Sequence, residues 1–246
     1  MPTHSALVAS AAHTARVHLY TSTDWDSVSG LPAGLLAQAT AQNFKANDGQ
    51  MVLTADAEGR VADVLFGLGK GTNALALAAL SAKLPEADYE IAREGRLPMA
   101  HIAAGWADGA YRFDRYLKDK ATPPRLVLGE GDAAEAMIRE AVAVDRLRDL
   151  VNTPAEDMGP IDIQSTISDL AERYGATLET TIGEALLAQN YPMVHAVGRA
   201  APQEPRIMEL SWGDESHPQL AIVGKGVSFD TGGLNLKTGG YMRLMK

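Results

Sequence analysis

The chain has 246 residues and a formal net charge of −9, from 31 acidic and 22 basic residues. An acidic surface repels nucleic-acid phosphates, and no run of Lys and Arg reverses this locally, so the composition argues against a nucleic-acid partner. The absence of cysteine excludes disulfides and thiolate metal sites, so that any metal must be bound through oxygen and nitrogen.

The N-terminal segment does not resemble a secretory signal, because His4, His13 and Arg16 interrupt its apolar residues. No window of the sequence reaches the roughly 18–20 apolar residues that a membrane span requires. We therefore expect a cytoplasmic protein without a membrane partner.

In the first half, short strand-like runs alternate with longer alanine-rich helical runs, a pattern that predicts an α/β fold. The predicted elements are a strand at 16–20, a helix at 34–45, strands at 51–55 and 61–66, and helices at 72–84 and 99–118. Two prolines near residues 121–124 are typical of a domain edge. We therefore predict an N-terminal α/β domain at 1–122 and a second domain at 123–246.

The second half repeats the alternation of strands and helices. The predicted elements are a strand at 125–128, helices at 132–151 and 161–174, a strand at 177–181, a short helix to 189, and strands at 194–197, 206–211 and 219–223. The helix at 132–151 should end near Asn152, since Pro154 disfavours helical backbone in the residue before it. Few residues follow the last strand, so we expect the second unit to be an incomplete α/β domain.

The segment 223–237, VGKGVSFDTGGLNLK, follows the last predicted strand and combines Lys225, Asp230 and Lys237 with several glycines. Ligands in α/β sheets bind at the carboxyl ends of strands, and glycine allows the backbone to turn back so that distant side chains converge. A carboxylate can bind a hard divalent cation, and a desolvated lysine beside cations can bind as a neutral amine. A lysine that stays charged could stabilise an oxyanion.

These residues alone leave three interpretations open. The segment could bind metal, it could be an ordinary structural loop, or its glycine–lysine turn could hold a phosphate. A second turn, at 67–72, follows a predicted strand and opens a predicted helix, and it could hold phosphate in the same way.

The segment resembles the signature loop of the leucyl aminopeptidase family of dinuclear metallopeptidases. Its Val-Gly-Lys-Gly, Phe-Asp-Thr-Gly-Gly and Lys237 all stand at the family's spacing. The family also has Arg-Asp-Leu-Val-Asn-Thr-Pro at the end of a helix, and the same residues stand here at 148–154. The N-terminal half is compatible with the family's smaller α/β domain and carries no specific motif.

The resemblance implies that Lys225 and Asp230 are metal ligands and that Lys237 is the catalytic cation that faces the scissile carbonyl. It implies two divalent ions (manganese, zinc or magnesium), peptide substrates from which the N-terminal residue is removed, and assembly as a hexamer. The segment at 55–60, Ala-Asp-Ala-Glu-Gly-Arg, imitates a later family motif but stands in the wrong half, and we interpret it as a turn between strands. His195 we expect to be a partly buried structural histidine.

The family's remaining acidic ligands do not occur at matching positions in these 246 residues. We therefore expect the 246-residue chain to be inactive by itself. The alternative function is a noncatalytic binding or assembly module on the same fold, and a phosphate- or nucleotide-binding protein is a third.

Overall fold

The computed structural model describes residues 3–73 and 75–246, and its contacts divide the chain into two compact units, Met1–Arg148 and Asp149–Lys246. Both contain helices and strands, so the predicted α/β class is confirmed. The sequence predicted a domain boundary after residue 122. The contacts divide the chain later because the strand at Arg125–Val127 pairs with the first sheet, and residues of the helix after it pack on the same core.

Among its described residues, the first unit contains six strands, four complete helices and most of a fifth. In chain order these are β1 (Leu7–Val8), β2 (Ala15–Tyr20), α1 (Ser22–Trp25), α2 (Ala33–Ala41), β3 (Met51–Ala55), β4 (Val61–Gly67), α3 (Ala76–Ser81), β5 (Asp88–Arg93), α4 (Met99–Ala110), β6 (Arg125–Val127) and α5 (Asp132–Asn152), whose last residues belong to the second unit.

The six strands form one sheet in the order β1-β6-β5-β2-β4-β3. Among the pairings described in this sheet, only β3 and β4 are antiparallel, and the other neighbouring strands run parallel. Val64, Leu65 and Phe66 of β4 are all fully buried, as expected of a strand covered on both faces. One apolar cluster contains residues of α3, α4 and α5, and the other contains residues of α2.

Helices α3 and α4 approach closely on one face of this sheet. The Ser81 hydroxyl donates to the Trp106 carbonyl over 2.8 Å, and the Trp106 indole Nε1 donates to the Pro124 carbonyl over 3.0 Å. The Trp106 ring packs beside Tyr89, whose pKa is raised to about 12 by burial. The buried polar groups of Ser81 and Trp106 thus both have hydrogen-bond partners.

Several predicted bounds in this unit were wrong, for local reasons. Helix α2 ends at Ala41 instead of 45, because Asn43 and Ala46 have positive φ angles of 51° and 53°. Helix α3 begins at Ala76 instead of 72, and α4 ends at Ala110 because Tyr111 has extended backbone. Strands β1 and β5 were not predicted, since β1 has two residues and three of the six residues of β5 are charged.

The second unit contains the end of α5 and further elements in the order α6 (Pro160–Tyr174), β7 (Thr177–Ile182), α7 (Ala185–Ala188), α8 (Pro192–Gly198), β8 (Arg206–Ser211) and α9 (Gly239–Met242). Strands β7 and β8 form an antiparallel pair. Helix α6 begins where the Asp162 carboxylate accepts from the Gly159 N–H over 2.9 Å, and it ends at Gly175 in the left-handed conformation.

The strand predicted at 194–197 is wrong, since these residues belong to helix α8. Pro192 stands in the first turn of that helix, where proline is favoured because its missing N–H needs no partner there. A short apolar run does not distinguish a strand from a helix by periodicity. None of the helices in the described residues is long and apolar enough to cross a membrane.

Candidate active site

The segment that resembles the signature loop lies in the second unit, between β8 and α9. The strand predicted before it, at 219–223, is wrong: these residues have no regular structure, and the side chains of Leu220, Ile222 and Val223 are 86%, 87% and 94% exposed. A strand requires a hydrogen-bonded neighbour. Among the described residues, none pairs with this run.

Asp230 and Lys237 form an ion pair, with 2.7 Å between Lys237 Nζ and Asp230 Oδ2. The other carboxylate oxygen accepts from the Gly232 N–H over 2.8 Å. The backbone turns back here, because Gly232 and Gly233 have φ angles of 80° and 102° and the Lys237 N–H donates to the Thr231 carbonyl over 3.0 Å. Asp230 and Lys237, seven residues apart, are thus in contact, whereas the predicted approach of Lys225 to either of them stays a prediction.

The electrostatics of Asp230 also involve Lys225. The pKa of Asp230 is lowered by the hydrogen bond from Lys237, then by the Gly232 N–H and by the charges of Lys237 and Lys225. Lys237 is thus the main partner of Asp230, and the charge of Lys225 contributes least. Asp230 is ionised at neutral pH, which is the form in which a carboxylate binds a cation.

Two further contacts surround the segment. Lys237 Nζ lies 3.1 Å from Met245 Sδ, a contact that the sequence did not predict. Lys246 Nζ donates to the Leu150 carbonyl over 3.0 Å, and burial lowers the pKa of Lys246. The residues after α9 therefore lie against the end of α5, where the second motif stands. In that motif Thr153 is buried, and its hydroxyl donates to the Asp149 carbonyl.

The donors of this segment fit part of a metal site. A carboxylate and an amine have the right chemistry for a divalent cation, but such ions take at least four donors. No group of three or more His, Cys, Asp or Glu suited to a metal occurs in residues 3–73 and 75–246. Lys225 and Asp230 therefore do not form a closed site by themselves.

The remaining candidate residues and turns make contacts that are typical of structural positions. His195, on α8 and 14% exposed, lies 3.2 Å from Glu184, and the expectation of a partly buried histidine is confirmed. Residues 56–60 form the turn between β3 and β4, with the Asp56 N–H donating to the Arg60 carbonyl, which confirms that interpretation. The turn at 67–72 follows β4 as predicted, but it does not open directly into α3.

Comparison with known proteins gives two family matches. Residues 25–129 match the model described as M17 aminopeptidase, N-terminal domain. Residues 145–246 match the model described as cytosol aminopeptidase family, catalytic domain. The matches follow one another in the order expected of a single chain of this family.

Curated relatives agree with these matches. A probable cytosol aminopeptidase of Corynebacterium diphtheriae is 32% identical over 215 residues, which are 79% of this chain and 43% of the relative. Peptidase B of Pectobacterium atrosepticum is 31% identical over 192 residues, which are 74% of this chain and 44% of the relative. The chain thus spans less than half the length of these two relatives.

Solved structures show the same relationship. The cytosol aminopeptidase of Coxiella burnetii superposes with a TM-score of 0.84 at 27% identity, covering 98% of this chain and 53% of the other. The bottromycin maturation enzyme BotP, in complex with Mn, superposes with a TM-score of 0.71 at 27% identity, covering 95% and 52%. Since both halves of the chain match models of one family, and curated relatives and solved structures agree, this chain belongs to the cytosol aminopeptidase (M17) family.

Proposed function

We propose that the protein containing this chain is a metal-dependent aminopeptidase that hydrolyses the N-terminal peptide bond of peptides. The observation that carries the proposal is the arrangement of Lys225, Asp230 and Lys237 on a segment with the family's spacing. Asp230 is ionised, paired with one lysine and under the influence of the other.

In this proposal Lys225 would contribute to binding one divalent ion and Asp230 to binding two, together with further donors, with manganese or zinc favoured and magnesium a further choice. Bound divalent ions would supply a water of lowered pKa at the scissile carbonyl. The relative BotP, whose structure contains Mn, supports metal dependence for the family.

Lys237 would act on the substrate directly. Its side chain is 29% exposed, and its Nζ lies 2.7 Å from Asp230 Oδ2. A cation in this place would stabilise the negative charge that develops on the carbonyl oxygen as water adds to the carbonyl carbon. Asp230 would then both bind metal and keep Lys237 beside it.

The metal part of the proposal is tested by manganese titration of the longest natural chain that contains these residues. We expect Asp230→Asn to weaken manganese binding at least tenfold, because a neutral amide is a poorer ligand than a carboxylate. The matched control is Asp214→Asn, an aspartate of the same unit whose carboxylate accepts from Ser216. Equal binding by both variants would contradict the assignment.

The alternative of a noncatalytic module is an outcome of the same experiment. If the natural chain binds no manganese and hydrolyses no aminoacyl p-nitroanilide, the fold serves binding or assembly. Two further proposals follow from the family alone: a cytoplasmic location, since the relatives are named cytosol aminopeptidases, and a hexameric assembly.

A further inference from the structure

A second candidate site lies in the first unit, where three loops meet at the carboxyl ends of β2, β4 and β5. The loop after β2 joins the loop after β4 through a hydrogen bond of 2.8 Å from the Ser22 N–H to the Gly69 carbonyl. The loop after β5 packs on β2 and on the loop after β4. A Cβ added at Gly95 would lie 2.7 Å from Leu68 and 2.9 Å from Leu19.

The order of the strands makes this meeting point a topological switch point, the place where open α/β sheets form a crevice. Strands β5 and β2 are neighbours in the sheet, but the chain leaves β2 towards β4 and leaves β5 towards β6, in opposite directions. Residues of α2 and of α4 belong to the two separate apolar clusters. In open α/β sheets, ligands bind outside the carboxyl ends of strands at such a switch point.

Two arginines and one buried aspartate occupy this position. Arg93 ends β5, and its guanidinium carbon lies 4.5 Å from the centre of the Tyr20 ring at the end of β2. Arg96 donates to Asp24 Oδ1 over 2.5 Å. The Asp24 side chain is 9% exposed, whereas those of Arg93 and Arg96 are 44% and 73% exposed. The Asp24 carboxylate therefore lies near two guanidinium groups, and both of these are exposed to solvent.

Asp24 Oδ1 accepts from Arg96, and the Thr21 side chain also lies beside the carboxylate, but Asp24 Oδ2 forms no hydrogen bond of normal geometry with the residues that the structure describes. Asp24 Oδ2 is buried and has no hydrogen-bond partner among the described residues, and Arg93 Nη2 lies 4.0 Å from it, too far for a hydrogen bond. Most buried acceptors in proteins have a partner, so an orphan oxygen at a crevice indicates a place for a donor from a ligand. Arg96 also has a positive φ angle of 71°, which non-glycine residues adopt rarely.

We propose that this crevice binds a small sugar phosphate, with Arg93 and Arg96 on the phosphate and a neighbouring hydroxyl donating to Asp24 Oδ2. Guanidinium groups match phosphate oxygens in shape and charge, and carboxylates accept from sugar hydroxyls in the same place in other α/β folds. Because Asp24 Oδ2 is buried, a neighbouring side chain must move as the hydroxyl enters.

Calorimetric titration of the 246-residue chain at physiological salt tests the proposal with ribose 5-phosphate, inorganic phosphate and ribose. We expect saturable binding of ribose 5-phosphate, at least tenfold tighter than that of inorganic phosphate, and none of ribose. Arg96→Gln and Arg93→Gln should each weaken it at least tenfold. Glu94→Gln, which removes an exposed negative charge between the arginines, should strengthen it or leave it unchanged.

The matched control is Arg60→Gln, an arginine 57% exposed in the β3–β4 turn at the opposite end of the strands. It should bind as the unmodified chain does, and circular dichroism checks that every variant is folded. Absence of saturable binding, or equal weakening by Arg60→Gln and Arg96→Gln, overturns the proposal. Equal affinity for inorganic phosphate and ribose 5-phosphate overturns the role of Asp24. None of these results depends on peptide hydrolysis.

Discussion

Individual residues show where this fold leaves no choice of side chain. Gly95 combines a φ angle of 59° with backbone and side-chain atoms of Leu19 within 2.9 Å of where a Cβ would stand. Gly129 has a similar φ angle of 80°, but nothing lies within 4 Å of its Cβ position. Both positions carry the backbone strain of a positive φ angle, but only Gly95 also lacks space for a side chain.

We predict that Gly95→Ala lowers the free energy of unfolding by about 2–4 kcal/mol, the sum of left-handed strain and overpacking. The matched change Gly129→Ala should cost only about 1–2 kcal/mol, since it adds strain without a clash. Urea denaturation of the two variants measures the difference. Equal losses would show that the contacts of Gly95 with Leu19 and Leu68 carry no energy.

Asp24 makes the stability of the first unit depend on pH. Its pKa is lowered from 3.8 by the hydrogen bond with Thr21, opposed by burial, and lowered further by Arg96 and Arg93. A carboxyl whose pKa is lower in the folded state stabilises the fold above its unfolded pKa. This contribution is lost as the pH falls below 3.8 and through the folded pKa.

We therefore predict that Asp24→Asn is less stable than the unmodified chain at pH 7 and that the difference shrinks as the pH falls from 4 towards 2. Unfolding by urea at several pH values measures it. Asp26→Asn, an exposed neighbour, is the control and should show no such convergence. A difference that stays constant down to pH 2 would contradict the ionised state of Asp24.

At the scale of elements, the close approach of α3 and α4 depends on one small residue. A Cβ at Gly109 would lie 2.1 Å from the Ala78 carbonyl oxygen and 2.3 Å from Ser81 Oγ. Because Ala78 O is a backbone atom, no change of rotamer can relieve the clash, and the helices must separate.

We predict that Gly109→Ala lowers the free energy of unfolding by about 2–3 kcal/mol through overpacking. Gly34, near the start of α2, has nothing within 4 Å of its Cβ position, and Gly34→Ala should raise stability by up to about 1 kcal/mol because alanine favours the helix. Thermal and urea unfolding compare the pair. A stable Gly109→Ala variant would mean that the two helices pack less tightly than described.

Elements with strong local signals were predictable, and those decided by partners were not. The capping residues and Pro154 placed α5 almost to the residue, and the turn at 56–60 placed β3 and β4. Strand β5 was not predicted, because half of its side chains are charged. Residues 219–223 look like a strand but depend on a neighbouring strand that the described residues do not provide.

For the site, the sequence predicted that Lys225, Asp230 and Lys237 converge, because the glycines allow a tight turn, and the contact of Asp230 with Lys237 is the part of this prediction that the structure shows. The sequence did not predict the contact of Lys237 with Met245, nor the cluster of Asp24, Arg93 and Arg96. These residues are far apart in the chain and meet only through the order of the strands. A glycine between two arginines after a strand, as at Gly95, is the signal that could have indicated the cluster.

At the scale of the whole molecule, the chain carries two units with separate chemistry. The second unit holds the segment 223–237 with the family's spacing, and the described residues provide too few metal donors for a closed site. Our expectation that residues 1–246 are inactive alone rests on this donor count. Robust hydrolysis of leucyl p-nitroanilide by the 246-residue chain, abolished by Lys237→Ala, would contradict it.

The central claim is that Lys237 stabilises the reaction of a metal-dependent aminopeptidase. The direct measurement is the kcat for leucyl p-nitroanilide with manganese, in the longest natural chain that contains these residues. We predict that Lys237→Ala lowers kcat about 10²–10³-fold with unchanged manganese content, as expected when one oxyanion donor is removed. The exposed Lys45→Ala serves as control and should keep full activity. A Lys237→Ala enzyme as active as this control would contradict the account.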